Sequence, residues 1–109
     1  MRVLDNAFHL YSQGYELARI VKLDTGHKVR VRIRRDSYER QSYAVAEVLN
    51  DNLTWTGLVS DPAELWHPGS PYLASHFGAD HPARNGKPEA LLNEIADRLL
   101  TRAAAVLAA

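Results

Sequence analysis

Cysteine is missing from all 109 residues, and with it go disulfides, a thiolate nucleophile and every zinc site built on sulfur. Lys and Arg are missing from residues 41–83. Long apolar runs are missing as well. The longest is Ala103 to Ala109, seven residues, far short of the roughly 20 that a membrane-crossing helix needs. The opening Met1-Arg2-Val3-Leu4-Asp5-Asn6 holds no apolar stretch of a secretory leader. These absences predict a cytoplasmic protein with no membrane partner.

Chemical motifs are scarce too. There is no GxSxG to expose a serine, no HExxH or HxH, and no glycine-rich phosphate loop. Ser70 or Ser75 with His76 and Asp80 assembles a hydrolase triad on paper. Triad members converge from separate elements, however, and these are sequence neighbours. His67, His76 and His81, with Asp61, Glu64 and Asp80, supply zinc-ligand chemistry. Their spacing does not, because Gly78 breaks any helix that would align His76 with His81. Asp61 and Glu64 read as helix-capping residues around Pro62, not as an acid–base pair. The expectation is a protein that is not an enzyme and needs no cofactor or metal.

What is present is ordinary in amount and unusual in arrangement. Hydrophobic residues make up 46% and charged residues 24%, the balance of a folded soluble domain. The net charge is zero, but residues 19–40 carry eight Lys/Arg against three acids. Residues 41–83 carry five acids, so +5 is followed by −5. That pattern suggests an electrically two-sided molecule with a binding surface.

The chain reads as one α+β domain over 1–109, with a sheet at 15–59, an irregular segment at 60–87 and a C-terminal helix at 88–108. Tyr15–Leu23 and Lys28–Arg34 flank Asp24-Thr25-Gly26, where Gly26 supplies the positive φ of a three-residue hairpin loop. Leu23 then faces His27, and Val21/Val29, Arg19/Val31 and Leu17/Ile33 share a face. The opposite face carries Lys22/Lys28, Ile20/Arg30, Ala18/Arg32 and Glu16/Arg34. A second hairpin, Ser42–Leu49 with Leu53–Val59, turns at Asn50-Asp51-Asn52. A two-residue turn sorts it most tidily, placing Trp55 in the core and Glu47, Thr54 and Thr56 outward. The expected sheet is four-stranded and antiparallel, with a possible fifth edge strand at the N-terminus. There, Leu4, Phe8 and Tyr11 at helical spacing favour a short helix over that strand.

Residues 60–87 hold four of the five prolines and read as a long Pro/Gly-rich loop. Pro88 opens a helix whose apolar stripe is Leu92, Ile95, Ala96, Leu99, Ala103, Val106 and Leu107. Four antiparallel strands followed by one long helix resemble, in element order, the Pur-type and coactivator-type single-strand nucleic-acid binders. The resemblance is one of element order alone: none of those families' sequence motifs is present, and element order by itself assigns no function.

The candidate surface follows from the second strand. Arg30, Arg32 and Arg34 project together and cannot be buried unpaired, since each would cost several kcal/mol. Lys28, Arg35 and Arg40 add charge, and Tyr38 and Tyr43 interleave rings. Cations on phosphates with rings under bases is the chemistry of single-strand binding. The plainer use of this face is solvation, with Glu16, Glu39 or Glu47 neutralising it in part. The polyanion is expected to be nucleic acid, and an acidic protein surface is the other candidate partner. The alternative function is a protein–protein interaction module: an adaptor, an assembly subunit or an inhibitor of a larger complex. It would use the oppositely charged faces and the 60–83 loop, through Trp66, His67, Tyr72 and His76, and it includes homo-oligomers. Loop packing is the simpler use of those aromatic residues.

Overall fold

The structure is a computed structural model, and it describes residues 1–11, 14–36, 42–62 and 88–109. Five strands run in order along the sheet: β1 (Arg2–Tyr11), β2 (Gly14–Lys22), β3 (Lys28–Asp36), β4 (Tyr43–Leu49) and β5 (Trp55–Asp61). Every neighbouring pair is antiparallel. One helix, α1 (Pro88–Ala108), crosses β2, β3, β4 and β5 on one face. The α+β class and the helix-covered sheet are those expected from the sequence. The Pro/Gly-rich loop between β5 and α1 lies, for residues 63–87, outside the described residues.

The β2–β3 register has the predicted pairs, from Leu17↔Ile33 to Lys22↔Lys28. Gly26 closes the loop at φ 93°, where a side chain would strain the backbone. The Leu23 amide donates to His27 carbonyl at 2.8 Å, and the Gly26 amide to Leu23 carbonyl at 2.9 Å.

Two expectations are corrected. The N-terminal segment is the ten-residue strand β1, not a short helix. Its Phe8 lies opposite Leu17 and stacks on Tyr15 with centroids 6.4 Å apart, so the sheet uses the apolar spacing that resembled a helix. The second hairpin, in turn, has a three-residue loop. Asn50 amide donates to Thr54 carbonyl at 2.8 Å and Leu53 amide to Asn50 carbonyl at 3.0 Å, the same pattern as the first loop. Leu53 stands where Gly26 stands, at φ 65°, with its side chain 79% exposed. Asn50, Asn52, Thr54 and Thr56 hold this turn through side-chain hydrogen bonds.

The core lies between sheet and helix. Leu17, Val21, Val29, Val31, Ile33, Ala44 and Ala46 from the strands meet Leu91, Leu92, Ile95, Ala96, Leu99, Leu100 and Ala103 from α1. The buried stripe is therefore wider than predicted by Leu91 and Leu100, and Val106 leaves it, at 48% exposure. Polar ties cross the same layer. Arg19 donates to Asn6 at 2.9 Å, to Asp97 at 3.0 Å, and to Asn93. The capped turn expected through Ala63 and Glu64 lies outside the described residues. Asp61 ends β5, 6% exposed. Its carboxylate accepts from Arg98 at 2.6 and 3.0 Å and from Arg102 at 2.6 Å, pinning α1 to the sheet edge.

Candidate functional site

Strand alternation and antiparallel register put one set of side chains on the face away from the helix. In β3 these are Lys28, Arg30, Arg32 and Arg34, opposite Lys22, Ile20, Ala18 and Glu16 of β2. On the other side of β3, Arg30 opposes Glu47, Arg32 opposes Val45 and Arg34 opposes Tyr43 of β4. The arginine row thus runs down the middle strand of the sheet, half-buried between its neighbours. Half-burial of Ile20, Val45 and Leu49 on this face supplies an apolar floor for the guanidinium stems.

Glu47 sits at the centre, 9% exposed. Its Oε1 accepts from Arg30 Nε at 3.1 Å and from Arg32 Nε at 2.9 Å. Arg32 adds a second bond from Nη2 to Oε2 at 3.3 Å, which makes its grip two-pronged. Each guanidinium also lies over a ring: Arg30 over Trp55 at 4.3 Å and Arg32 over Tyr43 at 5.9 Å. The result is a row of flat groups, Trp55–Arg30–Glu47–Arg32–Tyr43, fixed on both sides of one carboxylate. One carboxylate neutralises one of its two arginines. Over this face the described side chains include six cations (Arg2, Lys22, Lys28, Arg30, Arg32, Arg34) and three acids (Asp5, Glu16, Glu47), a net of +3.

Among the residues singled out from sequence, Lys28, Arg30, Arg32, Arg34 and Tyr43 do come together here. Arg35 does not. One residue further along β3, it points to the helix side, opposite Tyr15, with its guanidinium 5.8 Å from that ring. Its Nε is buried without a hydrogen-bond partner, and burial lowers its pKa from the ordinary guanidinium value. That ordinary value is so high that Arg35 stays charged at neutral pH. Tyr38, Arg40, Trp66, His67, Tyr72, His76 and His81 lie outside the described residues.

Two participants were not anticipated. Trp55 was assigned to the core and stands instead on the arginine face, opposite Leu49. Glu47 was expected outward as a partial neutraliser, but not as the shared anchor of two arginines. A three-residue loop at 51–53, copied from the first hairpin, gives the Trp55 placement, whereas that of Glu47 follows from the β3–β4 register, in which it faces Arg30.

No family, curated protein or solved structure matches the chain. The site is therefore read from its own chemistry. Among the described residues, no three His, Asp or Glu side chains are grouped to hold a metal ion. No described helix is long and apolar enough to cross a membrane. The charge pattern along the chain also changes meaning in space. Glu47 and Asp61, two of the five acids in the negative segment, are bound to Arg30, Arg32, Arg98 and Arg102. Because β3 and β4 are neighbours, the two segments meet there, while Glu64 and Asp80 lie outside the described residues.

Proposed function

We propose that the chain is a small non-enzymatic binding protein whose helix-free sheet face takes a polyanion, with single-stranded nucleic acid as the first candidate. One observation carries the reading: Arg30 lies over the Trp55 ring and Arg32 over that of Tyr43 on a net-cationic face. Bases stack on aromatic rings and on arginine planes, while the charge next to them meets phosphate. An acidic protein surface would also meet this charge and these rings, and the alternation of planar groups with cations is what a strand of stacked bases and phosphates matches along its length. Glu47 orients the pair and leaves a surplus of positive charge around it.

The test is a salt titration of labelled oligothymidine and oligodeoxyadenosine by fluorescence anisotropy. Combined replacement of Arg30, Arg32 and Arg34 by alanine should flatten the log–log salt dependence by about 2 for a single strand. Arg35→Ala is the internal control. Its side chain lies on the other face, so the slope should stay as it is. Absence of oligonucleotide binding at low salt, or an unchanged slope in the triple variant, removes the nucleic-acid reading.

A further inference from the structure

Among the described residues the sheet has two edges, β1 and β5, and they differ. An edge strand presents a row of unpaired N–H and C=O groups unless something blunts it. On β5 the blunting is visible. A bulge interrupts its pairing opposite Ala46 and Glu47, Gly57 interrupts its side-chain row, and Pro62 follows its last residue. On β1 there is no proline, glycine or lysine in ten residues, and the register irregularity lies at the start, between Val3 and Asp5. The side chains of Arg2 through Asn6 and of His9 are exposed, including Val3 at 54% and Leu4 at 41%.

We propose that two copies of the chain join along the outer edge of β1, antiparallel, about a two-fold axis through Ala7. The strand's own sequence selects that axis. Residues opposed across a sheet must lie on the same face, so a two-fold axis normal to the sheet has to pass through a residue. With Ala7 on the axis, Asp5 stands opposite His9 of the partner subunit and Asn6 opposite the partner's Phe8, each contact occurring twice. Asp5 and His9 are both exposed and both on the face away from α1, so an imidazole N–H donates to a carboxylate at each end. The residue meeting itself is a small one. Placing the axis on Asn6 sets Asp5 against an alanine, and placing it on Phe8 sets His9 against an alanine. Neither pairs the charge.

The association closes, because each β1 edge is used once and the blunted β5 edges lie outermost. The axis also keeps both helices on one side. The two cationic faces then become a single continuous surface, with the arginine rows running antiparallel.

Sedimentation of the full chain is the first measurement, and a species at twice the 12.2 kDa chain mass is expected. Ala7→Lys brings two ammonium groups together on the axis and should weaken the dimer about tenfold. Asp5→Lys sets a lysine against His9 of the partner subunit and should weaken it similarly. Adding His9→Asp to Asp5→Lys should restore the wild-type dissociation constant. If Ala7→Lys does not fold by circular dichroism, the exposed Asp5 and His9 variants read the same contact. A wild type that remains monomeric at about 0.1 mM, a dimer that none of the substitutions weakens, or a folded double variant that fails to recover would each overturn the proposal. Sedimentation of the Arg30/Arg32/Arg34 alanine variant should be unchanged, so failure of nucleic-acid binding and failure of self-association are separately visible.

Discussion

Glu47 and Asp61 are each one carboxylate serving two arginines, but on opposite faces and to different ends. Asp61 is almost enclosed and ties an element in place. Around Glu47 the side chains of Arg30 and Arg32 keep 26% and 41% of their exposure, so either can turn to water or to a phosphate. Glu47→Gln keeps the shape and removes the charge. We expect it to lower stability by about 1–2 kcal/mol, because the freed guanidinium groups rehydrate in part. We also expect it to tighten oligonucleotide binding and steepen the salt slope by up to about 1. Urea denaturation and the anisotropy titration measure the two effects. A variant that loses stability and affinity together would make Glu47 a scaffold for binding, not a competitor of the ligand.

Among the elements, the two hairpins make a natural comparison, having the same loop length and the same pair of backbone hydrogen bonds. Gly26 fits the left-handed position, and Leu53 occupies it at a steric cost of roughly 1–2 kcal/mol. Leu53→Gly should therefore raise stability by up to about 1 kcal/mol after the extra freedom of glycine in the unfolded chain is subtracted. The urea midpoint reads it directly, and an unchanged or lower midpoint would mean the Leu53 side chain makes compensating contacts. This residue also explains what could be read from sequence and what could not. Gly26 advertises its turn, so the β2–β3 register and the arginine alternation could be derived pair by pair. Leu53 advertises nothing, so the sequence alone favours a loop one residue shorter, which turns Trp55 to the opposite face. Similar ambiguities misled elsewhere. Leu4, Phe8 and Tyr11 fit both a helix and a strand, and Arg35 continues a strand whose alternation turns it inward.

At the scale of the whole molecule, a single apolar layer joins all the described elements that face it. Leu99 is fully buried against strands on one side and its own helix on the other. Leu99→Ala should cost about 2–5 kcal/mol. Circular dichroism of helix and sheet should melt together at the lowered midpoint, since among the described residues the two share one core. Separate transitions would show that the sheet survives without its cover.

Among the described elements that cover comes after all five strands. Five strands can pair by short loops as they emerge, yet among the described residues Val21, Val29, Val31 and Ile33 find their facing layer only when 88–108 follow. A nascent chain of this protein passes through an interval in which a finished sheet displays a greasy side to the cell. Holding chaperones should recognise that intermediate, and chains interrupted before α1 should be cleared or precipitate.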